Sequence, residues 1–144
     1  MTADRAPAPI PTISPRARLF LEAPRFGVVA TLNRDGSALQ AVVWYALEGD
    51  AIVFNSRVGR QWPTNLDRDP RVSVLVVDGY DYVEMRGKVE IDPDPDRAHQ
   101  VIAALAGRYR DGDEGGEAQL ARFALESRVT FTLRPTQIFE RLAG

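Results

Sequence analysis

Residues 26–47 read FGVVATLNRDGSALQAVVWYAL, and this stretch decides the fold class. Residues 26–32 are apolar and rich in β-branched side chains, a pattern typical of a strand. Asp35 and Gly36 follow, and an Asp-Gly pair between two apolar runs is the strongest short signal for a β-hairpin. Residues 38–47 then form the return strand, with alternate side chains on its two faces. The stretch therefore predicts an antiparallel hairpin that opens a β-rich domain.

The rest of the chain continues in short strands joined by turns, with helices between them. Further strands are predicted at residues 51–56, 71–78, 82–91, 128–133 and 136–141, and helices after Ser14, near 62–67, at 96–108 and at 117–126. Gly87, inside the strand at 82–91, indicates a bulge or a close approach of another backbone. The pattern predicts a mainly β protein with α-helices: an antiparallel β-barrel of six to seven strands with peripheral helices.

Length and composition limit the classes of protein that remain. The 144 residues favour one domain, which we place at 16–144, and the proline-rich residues 1–15 are expected to form a flexible N-terminal arm. No apolar run approaches the roughly 20 residues that span a bilayer, and the arm lacks the apolar core of a secretory signal. We therefore expect a cytoplasmic protein without a membrane partner.

Charge and rare residues exclude several chemistries. The net charge of −2 gives no electrostatic reason to expect nucleic-acid binding. The chain has no cysteine, which excludes disulfides, thiolate metal sites and cysteine nucleophiles. His99 is the only histidine, so a histidine-rich metal site is excluded, and the acidic residues near 92–96 and 111–114 lack the spacing of a metal loop. No metal is expected.

Residues 55–63, NSRVGRQWP, carry the clearest chemical signal. The segment leaves a strand, passes a glycine and enters a helix whose first turn is fixed by proline. A helix N-terminus offers free backbone N–H groups and binds phosphate. Arg57 and Arg60 add cations beside it, and Asn55 and Ser56 add neutral donors. The segment predicts a phosphate site; the alternative is a solvated connection with scattered arginines.

The aromatic residues leave two interpretations open. Trp44 and Trp62 are the only tryptophans, and each is either a wall of a ring-binding pocket or part of the core. Tyr80 and Tyr82 flank a predicted turn, where they are ordinary hairpin aromatics or reach into the site of a neighbouring subunit.

Several segments together resemble a known family. They are GVVATL at 27–32 with its Asp-Gly turn, VWY at 43–45, NLDRDPRVS at 65–73 and the Arg-Gly pair at 86–87. On these segments the chain resembles the pyridoxamine 5′-phosphate oxidase-like, FMN-binding split-barrel superfamily. Within it, the chain looks closest to the small oxidoreductases that use the deazaflavin coenzyme F420. The resemblance implies a split antiparallel β-barrel that forms a homodimer with the cofactor at the interface.

The resemblance also implies where the cofactor lies. Its phosphate would meet the segment around Ser56, Arg57 and Arg60, and its ring would lie along the strands that carry Val42 and Trp44. Many relatives have a phosphate-binding lysine at the position of Trp62, so here Arg60 or Arg57 would replace it. The expected cofactor-binding residues are Val42, Trp44, Asn55, Ser56, Arg57, Arg60, Gln61, Trp62, Tyr80 and Tyr82, the last two from the other subunit.

The expected function is a hydride transfer between F420 and a small unsaturated organic substrate. The cofactor carries this chemistry, so no side chain need be an obligatory acid or base, and no catalytic residue is predicted. Two alternatives remain: an FMN-binding oxidase or reductase of the same fold, and a non-enzymatic dimer that binds flavin or deazaflavin. The chain lacks the arginine-histidine substrate segment of a true pyridoxamine phosphate oxidase, so vitamin B6 synthesis is not predicted.

Overall fold

The structure, a computed structural model, describes residues 11–110 and 116–143. None of the helices in these ranges is long and apolar enough to cross a membrane. The elements in chain order are α1 (Pro15–Glu22), β1 (Gly27–Leu32), β2 (Ala38–Val43), β3 (Tyr45–Glu48), β4 (Ala51–Arg57), α2 (Gln61–Arg68), β5 (Arg71–Asp78), β6 (Asp81–Asp92), α3 (Pro95–Arg110), α4 (Gly116–Ala124), β7 (Arg128–Leu133) and β8 (Gln137–Arg141).

The strands form one curled antiparallel sheet, which confirms the predicted split barrel with helices outside. Its strand order is β2-β1-β5-β6-β7-β4-β3, and β8 pairs with the first half of β6. The two strands at the ends of this path, β2 and β3, are consecutive in the chain and are separated only by Trp44. Trp44 therefore marks the seam at which the barrel is split.

The single return strand predicted at residues 38–47 is wrong, because the chain changes pairing partner at Trp44. Strand β2 pairs with β1, whereas β3 pairs with β4. Val43 and Tyr45 on either side of the break both remain buried, so the alternation of side chains continues through it. This break raises the number of strands in the described residues to eight, above the six or seven predicted.

The core lies inside the curl of the sheet and is closed by α1. Valines, isoleucine and phenylalanine from β1, β4, β5 and β7 are buried there, and burial of such apolar surface is the main favourable term in folding. Ser14 caps α1 as predicted, since its Oγ accepts a hydrogen bond from the backbone N–H of Ala17 at 3.1 Å. Ile13, within the predicted arm, is buried in this core, and residues 1–10 of the arm lie outside the described residues.

A buried asparagine ties α2 to the first hairpin. The Nδ2 of Asn65 donates to Thr31 Oγ1 at 3.2 Å and to Asn33 Oδ1 at 2.9 Å. Its Oδ1 accepts from Gln61 Nε2 at 2.8 Å and from Arg68 at 3.3 Å. The amide is thus satisfied at both ends in a fully buried position. Asn65, the first residue of the family-resembling segment 65–73, therefore stabilises the fold.

Gly87 lies on β6 where the neighbour of this strand changes from β8 to β7. A Cβ atom there would come within 3.1 Å of Leu133 Cδ1 and 3.3 Å of the Arg134 carbonyl oxygen, which confirms the predicted close approach.

We expect Gly87→Ala to destabilise the fold by about 1–3 kcal/mol through overpacking. Urea unfolding measures this. Gly107→Ala is the control, because that helical Cβ would have no neighbour within 4 Å and alanine favours a helix. An unchanged midpoint for Gly87→Ala would contradict the prediction.

Candidate functional site

A cavity of about 310 Å³ lies beside the seam of the barrel. This volume is at the lower end of the range for small-ligand sites. Its walls come from the seam, from β4, from the start of α2, from α3, from one face of α4 and from β7. The lining residues used below are Val42, Trp44, Asn55, Arg60, Trp62, Gln119, Arg122, Phe123, Glu126 and Arg128.

Trp44 forms a fixed aromatic wall of this cavity. Its ring stacks on that of Tyr109, with centroids 5.3 Å apart and planes 7° from parallel. Phe123 from α4 meets the Trp44 ring edge-on at 6.4 Å. The hydroxyl of Tyr109 donates to the Arg25 carbonyl oxygen at 2.5 Å, which anchors the stack. The Arg110 guanidinium also lies over the Trp44 ring, 5.5 Å from its centre. The Trp44 ring is therefore held in place by several neighbours and adds rigid aromatic surface to the cavity wall.

Trp62 belongs mainly to the core and also borders the cavity. Its side chain is only 6% exposed and packs against Phe54 and Phe131, with ring centroids 5.8 and 5.4 Å away. The position thus supplies apolar surface and no charge. Any positive charge in the cavity must come from elsewhere.

Arg128 supplies a buried charge at the cavity. Its Nε donates to Asn55 Oδ1 at 2.8 Å, and its guanidinium lies 4.8 Å from the centre of the Phe123 ring. One of its terminal nitrogens is 3.4 Å from the Glu126 carboxylate. Burial lowers the pKa of Arg128, and the Glu126 carboxylate opposes that shift. The Nδ2 of Asn55 donates to the Ala98 carbonyl oxygen at 3.0 Å, so both ends of this amide are bonded within the protein.

The cavity carries an excess of positive charge. Three arginines line it, at 60, 122 and 128, against one carboxylate, Glu126. That carboxylate is shared with Arg57, whose Nε lies 3.7 Å from it, and with Arg128. Within residues 11–110 and 116–143, the side chains of Arg60 and Arg122 have no hydrogen-bond or ion-pair partner. Both residues are exposed, so their guanidinium groups are accessible to an anionic ligand at this cavity.

Helix α2 begins at the same place. Arg60 is its N-cap residue, and no side chain in the described part of the protein caps the helix. The first-turn N–H groups at such an end add a partial positive charge. The helix end and the arginine charge therefore reinforce each other at this wall of the cavity.

The structure brings together half of the residues predicted from sequence. Val42, Trp44, Asn55, Arg60 and Trp62 all line the cavity, although their positions in the chain span 21 residues.

The other predicted residues lie elsewhere in the single chain. Ser56 is buried within β4 and its Oγ donates to the backbone carbonyl of Arg57. Gln61 bonds to Asn65 on another side of α2. Tyr80 is 86% exposed at the turn between β5 and β6, where Tyr82 follows, and neither lines this cavity.

The contributions of α4 and β7 to the cavity were not predicted from the sequence. Residues 119, 122, 123 and 126 recur at spacings of three and four, which indicates one shared helical face. Arg128 is the register partner of Arg57 on the adjacent strand. The helical spacing was visible in the sequence, but the surface against which this face packs was not.

Comparisons with known proteins agree with this architecture. The family profile for pyridoxamine 5′-phosphate oxidase matches residues 13–141. The solved structure of an F420 reductase is 32% identical over 85% of this chain and 94% of that one, with a TM-score of 0.70. A conserved hypothetical protein from Mycobacterium tuberculosis is 28% identical over 94% of this chain and 88% of its own, with a TM-score of 0.75.

A more distant similarity shows the fold alone. HutZ, a haem storage protein from Vibrio cholerae, is 17% identical over 90% of this chain and 95% of its own, with a TM-score of 0.68. A comparison with curated proteins gave no significant match.

Proposed function

This chain belongs to the pyridoxamine 5′-phosphate oxidase family of split barrels, and on that premise we propose that it is an F420-dependent oxidoreductase. In this proposal it transfers a hydride between the deazaflavin and a small unsaturated organic substrate. The observation that carries the proposal is a single cavity lined both by Trp44, at the seam, and by Arg60, whose guanidinium has no partner among the described residues. The similarity to an F420 reductase supports the choice of cofactor.

The phosphate of the cofactor fits the wall at the start of α2. Arg60 is free to grip it, because no described residue occupies its guanidinium, and the helix end adds N–H donors. Arg57 and Arg128 add positive charge nearby while remaining bonded to Glu126. Ser56 and Gln61 keep supporting roles in this proposal, as neighbours that hold the strand-to-helix connection in place.

The ring of the cofactor fits the seam. Val42 and Trp44 border the cavity there, and Asn55 lies on the adjoining strand with its amide fixed by Arg128 and the Ala98 carbonyl. A reduced deazaflavin, when bound, supplies a hydride that a proton complements to saturate a C=C bond of the acceptor. Glu126, the one acidic lining residue in the described ranges, is held by two arginines, so we expect the proton to come from water.

A second subunit would complete the site. The cavity of about 310 Å³ is small for a phosphate-bearing tricyclic cofactor, so part of the cofactor must extend beyond it. Val42, which lines the cavity, is 68% exposed, and Val77 on β5 and Tyr80 at the following turn are also exposed. Such exposed apolar surface is typical of a subunit interface. We propose a homodimer in which Tyr80 and Tyr82 of the other subunit cover the cofactor.

Turnover tests the enzymatic part of the proposal. The purified protein is mixed with reduced F420 and a panel of conjugated enones and enoates, and reoxidation of the cofactor is followed by its absorbance. We expect at least one acceptor to be reduced, with the saturated product identified by mass spectrometry. Tight binding of F420 without turnover on any acceptor would instead favour a non-enzymatic binding dimer. Yellow FMN that remains bound through purification would favour the FMN alternative.

A further inference from the structure

The α4 wall of the cavity carries polar groups that cofactor binding at Arg60 leaves unused. Gln119, Arg122 and Phe123 project from one face of α4 into the cavity. The backbone N–H groups of Leu125 and Glu126 donate to the carbonyl oxygens of Arg122 and Phe123, at 3.1 Å each, which extends the helical turn to the end of this wall. The three side chains are therefore presented by a continuous backbone scaffold.

Gln119 holds an unsatisfied acceptor. Its Oε1 is buried, and it has no hydrogen-bond partner among the described residues. The Gln119 side chain as a whole is half-buried, and a buried polar atom without a partner is unfavourable. An O–H or N–H donor on a bound molecule would satisfy this oxygen.

Arg122 is the lining arginine that is neither bonded within the described residues nor placed at the proposed phosphate. Arg128 is bonded to Asn55 and Glu126, and Arg60 lies at the end of the cavity proposed for the phosphate. Arg122 has no partner in the part of the chain that the structure describes. A guanidinium group binds a carboxylate through two parallel hydrogen bonds, so Arg122 is available for a carboxylate on a ligand.

An aromatic corner lies beside these two polar groups. The rings of Trp44 and Phe123 are 6.4 Å apart and 85° from parallel. The two rings put aromatic surface next to the polar groups, and such surface favours an aromatic or conjugated guest.

We propose that Gln119, Arg122 and this aromatic corner form the acceptor subsite, and that the acceptor is a planar conjugated carboxylic acid that also carries an O–H or N–H donor. That the bound acid is the hydride acceptor rests on the proposed function, but the binding of such an acid does not depend on the cofactor. Arg122 would hold the carboxylate, Gln119 Oε1 would accept from the donor, and Trp44 with Phe123 would hold the conjugated plane.

The test uses three matched probes on the cofactor-free protein. 4-Hydroxycinnamate has both features, 4-hydroxycinnamamide lacks the charge, and 4-methoxycinnamate lacks the donor. Dissociation constants come from calorimetry, and the shift of the Trp44 indole N–H signal in a nitrogen-15 spectrum locates the binding. We expect 4-hydroxycinnamate to bind at least tenfold more tightly than either analogue.

Two variants separate the two polar contacts. Arg122→Gln is expected to weaken 4-hydroxycinnamate about tenfold, or roughly 1.4 kcal/mol, and to leave the amide unchanged. Gln119→Leu is expected to remove the preference for the hydroxyl over the methoxy probe. Arg34→Gln, at an exposed arginine of the first hairpin, is the control and should change neither.

Three outcomes would overturn the proposal: equal affinity for the acid and the amide, no binding of any probe, or loss of acid binding in Arg60→Gln but not in Arg122→Gln. The last would place the acid in the phosphate site. Because no cofactor is present, acid binding with failure of F420 to bind would overturn only the proposed function.

Discussion

Arg60→Ala is expected to weaken F420 binding by about 1.5–3 kcal/mol, the range for loss of a hydrogen bond to a charged group, which is roughly a 10- to 150-fold rise in the dissociation constant. The guanidinium of Arg60 has no partner within the described residues, so its full charge is available to a phosphate. Quenching of F420 fluorescence on titration measures the change.

Two further variants make this result specific. Arg60→Lys keeps the positive charge but loses the planar guanidinium group that can donate two parallel hydrogen bonds, so an intermediate loss of affinity is expected. Arg34→Ala removes an exposed arginine of the first hairpin that does not line this cavity, and it should leave the affinity unchanged. An unaltered dissociation constant for Arg60→Ala would show that the phosphate does not lie at the start of α2.

Asn65→Ala is expected to lower the free energy of unfolding by about 2–4 kcal/mol, because truncation leaves buried polar partners unsatisfied. Asn65 is fully buried and its amide joins Thr31, Asn33, Gln61 and Arg68. Urea unfolding measures this as a lower midpoint, while the dependence of the unfolding free energy on urea concentration stays the same.

The neighbouring threonine is the natural control for this variant. Thr64 is exposed, and among the described residues its hydroxyl bonds only to the Arg60 carbonyl oxygen at 2.8 Å, so Thr64→Ala should change stability by no more than about 0.5 kcal/mol. If Asn65→Ala were no more destabilising than Thr64→Ala, Asn65 would not be what holds α2 against the first hairpin.

Local signals allowed much of the fold to be predicted. The Asp-Gly pair fixes the first hairpin, and Gly36 in its turn has a φ of 86°, a conformation that glycine adopts without strain. The serine cap and the proline of α2 mark helix starts in the same way. The break at Trp44 was not predictable, because the alternation between buried Val43 and buried Tyr45 is what an unbroken strand would show.

The cavity was predictable only on the side formed by nearby sequence. Residues 42–62 carry the seam and the start of α2, and five of the residues named there from the sequence line the cavity. Arg128 reaches Asn55 across 73 residues of chain, and the α4 wall depends on how α4 packs, which periodicity cannot give. The roles of Tyr80 and Tyr82 involve a second subunit and remain a prediction.

Parallel titrations of the purified protein with F420 and with FMN test the central claim most directly. Quenching of the fluorescence of each cofactor gives its dissociation constant, without any assumption about the substrate. The proposed function predicts that F420 binds with a dissociation constant of about 1 µM or lower, equivalent to roughly −8 kcal/mol, and that FMN binds much more weakly. A preference for FMN would assign the protein to the FMN alternative, and failure of both to bind would contradict the cofactor site and leave only the fold.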